Sequence, residues 1–395
     1  MERLLFFIVI LVLAQSCQQN KVPISVETEI SAIRQIFAPD KRVALLDIEP
    51  RMENGQLVLA GESNLPIALD SLKSRLDKLG LSPKMEVQLL PEDSLKGYHY
   101  GIVRPAACNL RSKRGHSQEL ATQATLGTPL SILKEEEHWY LVQTPDGYLA
   151  WLDNGGFVPM KADEFQAWQA AKKVVYLPDF GFSLAEPHED AARVSDLLAG
   201  NILLDLGEDG GFTKVGYPDG RTAYLPSSTL MNYTSWLESR KPSPENIIAT
   251  AKTMIGRPYL WGGTSGKAMD CSGFTKTTFY LNGLQLPRDA SQQVHTGIEV
   301  STDSNLTNLQ AGDLLFFGRK ATLELKERIT HVGIYLGEGR MIHAGADNGG
   351  IKIESLRPGD PDFAAHRLET FVRAKRLLDA PGENGTRWLG ELEGY

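Results

Sequence analysis

The chain opens on an unbroken apolar run at 4–13 (LLFFIVILVL), preceded by Arg3 and followed by Ala14-Gln15-Ser16-Cys17. The run is shorter than the roughly 20 residues that cross a bilayer, and it fits the core of a signal peptide. Past a polar stretch at 18–23, residues 43–48 are apolar except for Asp47 and read as a strand. Asn54-Gly55 is a hairpin signal, and 57–60 gives the second strand. Leu69, Leu72, Leu76 and Leu79 then recur at helical spacing until Gly80. The pattern predicts a small α+β domain over 24–97, with nothing in it that carries chemistry.

From about 98 the rhythm shortens and repeats itself. At one constant offset, Gly127 matches Gly200, Leu130 matches Leu203, and Leu133 matches Leu206. Trp139 matches Phe212 and Val142 matches Val215. Pro145-Asp146-Gly147 matches Pro218-Asp219-Gly220, and Ala150-Trp151-Leu152 matches Ala223-Tyr224-Leu225. Short strands separated by an acidic turn and a Pro-Asp-Gly turn predict two small β-barrels, at 98–158 and 174–232. The segment 161–173 (KADEFQAWQAAKK) predicts a helical connector.

A third pattern begins after Lys241-Pro242-Ser243-Pro244. Ser243 is an N-cap with Pro244 at the first helical position, and Ile247, Ile248, Ala251, Met254 and Ile255 form the buried stripe. A glycine-rich loop at 259–266 leads into a second helix from Cys271 to about Leu281. Strands follow at 314–317, 331–336 and 341–344, the last two forming a hairpin around Gly337-Glu338-Gly339. This domain spans 243–376, and 377–395 is a Gly-rich acidic tail with no legible pattern. The fold class is α+β and multidomain.

Charge and cysteine usage narrow the function. The 395 residues carry a formal net charge of −8, and there is no Lys/Arg cluster of the kind that displaces counterions from nucleic acid. The cysteines are Cys17, Cys108 and Cys271, an odd number that builds no disulfide framework. No CxxC or His/Cys cluster has zinc spacing, so no metal or other cofactor is expected. Cys17, directly after a small residue at the end of the apolar run, resembles a bacterial lipoprotein cleavage and lipid-attachment site, with Ala14 where a leucine is usual. An ordinary signal peptide with an incidental cysteine is the other reading.

Cys271 follows a glycine loop and opens a helix, where free N–H groups and the helix dipole favour thiolate. A buried cysteine can also be a small hydrophobe. The histidines weigh against that. Facing residues of the hairpin lie equally far from Glu338, so His331 faces Gly345 and His343 faces Gly333. The two imidazoles then share one sheet face as diagonal neighbours. They could form half of a metal site, but no third ligand has suitable spacing. A cysteine, a histidine and a third polar group make the arrangement of nucleophilic acyl transfer.

Five segments in series carry a family resemblance: Gly256-Arg-Pro-Tyr259-Leu-Trp261-Gly262-Gly263, Asp270-Cys271-Ser272-Gly273-Phe274, Leu286-Pro287-Arg288-Asp289-Ala-Ser291, Gly312-Asp313-Leu314 and His331-Val-Gly333-Ile-Tyr335-Leu-Gly337. In order and spacing they resemble the NlpC-type cell-wall cysteine peptidases, over about a third of the chain. The resemblance implies a papain-like α+β domain with Cys271 as nucleophile, His331 as base, His343 orienting the base, and the Tyr259 hydroxyl at the oxyanion site. It implies hydrolysis, without metal, of the amide between γ-D-glutamate and a diamino acid in peptidoglycan stem peptides.

The two barrels are similar to bacterial SH3-like domains, and their combination with this domain resembles a subgroup of γ-D-glutamyl-L-diamino acid endopeptidases. In that subgroup the first barrel closes the cleft and reads a free N-terminal L-alanine. The matching positions are Glu119, Tyr148 and Asp289, with Asp270 and Ser272 flanking the nucleophile. Each has another reading: Glu119 as a solvated charge, Tyr148 packed on Trp151, Asp289 as a helix cap. The implied partners are stem peptides and, through a lipid on Cys17, a membrane, with the protein in the cell envelope facing the periplasm. Two other functions remain open: a non-catalytic wall-binding lipoprotein, and an amidase or acyltransferase on the same fold.

Overall fold

The computed structural model describes residues 21–302, 306–347 and 349–392. The apolar run at 4–13 and Cys17 lie outside the described residues. The chain divides into two compact units, one formed by the first 96 residues with a short return at 133–135, the other by the remainder.

In the first unit, helices Ile24–Phe37 and Pro66–Lys78 accompany a three-stranded sheet. Leu46–Glu53 and Gln56–Ser63 pair antiparallel about Asn54 and Gly55, both at positive φ (50° and 80°). The second helix returns the chain to Lys84–Leu89, which pairs parallel with Gln56–Ser63. Ile30, Ile33, Leu59, Leu72 and Leu76 fill the core. The first strand begins at Leu46 and not at 43, because Val43 and Ala44 donate back to the Asp40 carbonyl in a turn and the Leu45 N–H is taken by the Asn64 side chain at 2.9 Å.

In the second unit the repeat is structural throughout. Ala107–Arg111 recurs as Phe180–Leu184, and Leu120–Thr125 as Arg193–Leu198. Trp139–Gln143 recurs as Phe212–Gly216, and Leu149–Asp153 as Thr222–Pro226, every bound shifted by the offset that relates Gly127 to Gly200. Both copies are seven-stranded sheets with the same neighbour order. A helix follows each copy: Ala162–Ala170 after the first, Tyr233–Ser239 after the second.

The C-terminal domain starts with α1 (Pro244–Thr253), where Ser243 Oγ accepts from the Asn246 N–H at 3.3 Å. Ile247, Ala251 and Met254 are buried, as the stripe predicts. Ile255, expected in the same stripe, is 47% exposed. The helix stops at Thr253 and the chain swings away at Gly256, φ 84°. Next come α2 (Cys271–Tyr280), α3 (Ala290–Gln293) and six strands: β1 (Ile298–Val300), β2 (Leu314–Arg319), β3 (Arg328–Gly337), β4 (Arg340–Gly345), β5 (Gly350–Ser355) and β6 (Phe371–Arg376). The sheet runs β1-β6-β2-β3-β4-β5, antiparallel throughout. α2 lies across β3 and β4, burying Phe274 and Phe279 against Phe316, Val332, Ile334 and Ile342. Each such side chain contributes about 2 kcal/mol from removal of apolar surface from water.

The acidic tail is part of this unit as far as residue 392. Arg387–Trp388 pairs antiparallel with Leu284–Gln285. Leu389 and Leu392 are buried with Tyr233, Trp236 and Ile202.

Candidate active site

Cys271 is the first residue of α2, and Asp270 is the N-cap, its Oδ1 accepting from the Gly273 N–H at 2.7 Å. The other oxygen accepts from the Gly262 N–H at 3.0 Å. Arg288, only 1% exposed, donates to both Asp270 oxygens, at 3.1 and 2.6 Å, and to Ser272 Oγ at 2.9 Å. A buried ion pair adds little net stability, but losing one partner strands a charge. The pair ties the glycine loop, the start of α2 and the Pro-Arg-Asp segment together.

The motif glycines are required by close approach. A Cβ at Gly273 would lie 1.9 Å from the Gly263 carbonyl oxygen. One at Gly262 would lie 2.1 Å from the Leu120 carbonyl oxygen in the first barrel.

Asp270 and Ser272, expected to complete the substrate pocket, flank the nucleophile at the start of α2. Both are buried, and Asp270's lone pairs are consumed by Gly262, Gly273, Arg288 and the Ser272 hydroxyl. They hold the nucleophile's backbone in place at the start of α2.

Cys271 is 6% exposed. Burial, with the Asp270 charge adding to it, pushes its thiol up to about 12, against the opposing pull of the Val332 and Ser272 backbone N–H groups. The helix-end effect expected to favour thiolate is therefore outweighed by burial.

The hairpin register is the one that brings the imidazoles together: Ile334 faces Ile342 and Tyr335 faces Met341, with a bulge only at the turn. His331 Nε2 lies 2.9 Å from His343 Nδ1, with the rings perpendicular. His343 Nε2 is 2.7 Å from Glu354 Oε2 on β5. Burial, reinforced by His343 and Arg367, holds His331 well below the usual histidine value. Burial also lowers His343, with Glu354 opposing it. The His343 hydrogen bond is the main cause holding the Glu354 carboxyl down at about 2.

Tyr259 bridges to Met269, and its N–H donates to the Gly349 carbonyl at 3.2 Å. Its phenol is raised by burial and by proximity to Cys271 and Asp270. Among the described residues its hydroxyl has no hydrogen-bond partner.

The first barrel faces this centre. Tyr148 Oη donates to Asp289 Oδ2 at 3.2 Å, and Glu119 Oε1 accepts from the exposed Trp261 Nε1 at 2.7 Å. Asp289 also makes a capping box with Gln292 at the start of α3. Asp146 pairs with Lys276 on α2 at 2.7 Å. Gln123 exchanges three hydrogen bonds with Thr264. In the second copy Asp196, equivalent to Gln123, pairs with Lys267 at 2.5 Å, but Asp219, equivalent to Asp146, pairs with Arg221 beside it.

Sequence reading missed Arg288, Lys276 and Glu354 as members of this centre. Arg288 lay inside a quoted motif. Glu354 had a signal in the alternation Ile351-Lys352-Ile353-Glu354, which puts two polar groups on one face of β5. Lys276 had none, because its partner is 130 residues away.

A cysteine at a helix start, two coupled imidazoles and a nearby phenol can perform acyl transfer. Residues 256–363 match the profile of the NlpC/P60 family, and 110–156 match the bacterial dipeptidyl-peptidase Sh3 domain. A γ-D-glutamyl-L-lysine dipeptidyl-peptidase of Bacillus cereus is 29% identical over 67% of this chain and 77% of its own. One from Bacillus subtilis is 29% identical over 60% and 76%. The crystal structure of an NlpC/P60 family protein from Bacillus cereus superimposes with TM-score 0.59 at 25% identity, covering 71% of this chain and 99% of that one.

Proposed function

With a cysteine-peptidase domain of the NlpC/P60 family and a bacterial dipeptidyl-peptidase SH3 domain in this chain as the premise, we propose that it hydrolyses the γ-D-glutamyl–diamino acid amide of peptidoglycan stem peptides bearing a free N-terminal L-alanine. Cys271 Sγ passes its proton to His331 and attacks the γ-carbonyl carbon. The oxyanion is held by the Cys271 N–H and the Tyr259 hydroxyl, each such donor contributing about 3 kcal/mol to the barrier reduction. His331 then protonates the departing amine, the C–N bond breaks, and a thioester remains. Water, deprotonated by His331, attacks the thioester carbonyl and releases L-Ala-γ-D-Glu and the free thiol.

The observation that carries the substrate reading is the contact of Tyr148, in the first barrel, with Asp289 beside the nucleophile helix. With Glu119 at the Trp261 rim, it gives two carboxylates on the side of the cleft that the barrel covers. An alanine ammonium answers that charge. Acylating the amine, as in intact wall, removes the charge and adds bulk. The test compares cleavage of L-Ala-γ-D-Glu-diaminopimelate with its N-acetyl form. A kcat/KM lower by orders of magnitude for the acetylated peptide is expected, and equal cleavage of both overturns the pocket.

The same reading includes a lipid on Cys17 and an envelope location facing the periplasm, where such peptides are released. Membrane fractionation of wild type against Cys17→Ser tests it, and equal membrane recovery overturns the anchor.

A further inference from the structure

Glu354 belongs to no segment that carried the family resemblance, yet it is the most deeply integrated carboxylate behind the two histidines. It is 8% exposed, and His343 is fully buried. Its Oε2 lies 2.7 Å from His343 Nε2, and its Oε1 lies 2.6 Å from Lys352 Nζ, whose side chain is 43% exposed. The second contact occupies the other oxygen and keeps the carboxylate from swinging out of line.

The proton positions along this chain follow from the donors available. A carboxylate offers only lone pairs, so the hydrogen in the His343–Glu354 contact must sit on His343 Nε2. Burial keeps His343 neutral, so its Nδ1 has a lone pair and accepts. The hydrogen shared between the two rings must then belong to His331 Nε2. A neutral His331 that carries its hydrogen on Nε2 has a bare Nδ1, and that nitrogen has no hydrogen-bond partner among the described residues. The other neutral tautomer of His343 would set the lone pairs of its Nε2 and of the carboxylate against each other, at a ring with no exposed surface.

We infer that Glu354 is a positioning residue for the base: by taking the Nε2 hydrogen of His343 it selects, one ring further on, the His331 tautomer whose Nδ1 can receive the Cys271 proton. The inference rests on the roles of Cys271 and His331 proposed above. When His331 becomes imidazolium, the same carboxylate sits one ring from the new charge and offsets it. Other charged groups surround the pair: Lys352 on β5, Asp347 in the turn after β4, and Arg367 and His366 on the helix Ala365–Glu369. Asp347 is committed to Arg367 at 2.9 Å and to His366 at 3.2 Å, which leaves Glu354 as the carboxylate that contacts an imidazole of the pair.

The test uses the full chain with Glu354→Ala, Glu354→Gln and Cys271→Ala, and L-Ala-γ-D-Glu-diaminopimelate as substrate. Glu354→Ala should lower kcat about tenfold or more per folded molecule with KM little changed, the signature of a fault in the chemical step. Glu354→Gln keeps an acceptor for the His343 hydrogen and should recover most of that loss. It removes the negative charge, so the alkaline limb of kcat, which reports the substrate complex, should move to lower pH as imidazolium loses its counter-charge. Wild-type kcat in Glu354→Ala with an unmoved limb, or a loss fully matched by a fall in folded fraction, overturns the inference. Turnover surviving in Cys271→Ala would instead refute the underlying mechanism, so the two failures are distinguishable.

Discussion

Asp146 of the first barrel and Lys276 of the nucleophile helix form a 2.7 Å ion pair with side chains only 2% and 14% exposed. Burial alone would raise the Asp146 carboxyl, but Lys276 and the Thr144 hydroxyl overcome it and hold the group below its ordinary value. The Pro-Asp-Gly turn is thereby bolted to α2, and Tyr148 follows directly after it. Lys276→Met should leave a buried carboxylate unpaired and cost about 3–5 kcal/mol. It should raise KM for the free-amine peptide more than it lowers kcat. The double variant with Asp146→Leu should regain much of the stability, which urea titration of the four chains measures as a coupling energy. A coupling near zero would mean the pair is incidental.

Cys271→Ala should abolish turnover and leave the fold intact. Burial pushes the Cys271 thiol up, so the ultraviolet difference between wild type and Cys271→Ser at neutral pH should lack a thiolate band, and alkylation should accelerate as pH rises. Cys108, buried in the first barrel and also pushed up to about 12 by burial, should label far more slowly. Wild-type turnover in Cys271→Ala would sink the mechanism.

His331→Ala should lose more than His343→Ala, because one moves the proton and the other holds the ring. Losses of about a thousandfold and about ten- to a hundredfold are the expected scale. Steady-state kinetics on the two variants, normalised to folded protein, decide the order. A larger loss at His343 would exchange the two roles.

Glu354 ties stability to pH. Its folded-state value of about 2 lies below the ordinary 4.5. The unfolded chain therefore binds the proton first as pH falls, and the contribution present above about 4.5 is lost on the way down to about 2. That contribution is roughly 1–3 kcal/mol. Wild type should lose stability more steeply than Glu354→Gln across this window. Parallel unfolding curves at the two ends of the window would contradict it.

Period and turn chemistry made the local elements legible: the hairpin at Asn54-Gly55, the barrel strands and the helix starting at Cys271. The internal repeat was visible only from 127 to 152, where aromatic and turn residues mark it. In the structure it runs from 100 to 160, because strand positions need only a fitting side chain, not the same one. The helix Ile24–Phe37 went unread although Val26, Ile30 and Ile33 lie at helical spacing, since Pro23 supplies no capping side chain. The tail's docking was illegible because Leu389 and Leu392 meet partners from a distant part of the chain, Ile202, Tyr233 and Trp236. Hairpin register could be deduced for the histidines. The commitment of Asp270 to Arg288 could not, because pairings across loops leave no period in a sequence.

Positions 123 and 196, equivalent in the repeat, both grip the short hairpin at 264–269, one at Thr264 and the other at Lys267. The repeated module thus works as a vice with two jaws of the same topology and unequal duties. One jaw carries the Tyr148 turn to the cleft, and the other keeps Asp219 for its own neighbour. A change in the hairpin's length would loosen both jaws together, whereas the second jaw's turn can drift in sequence without touching the reaction.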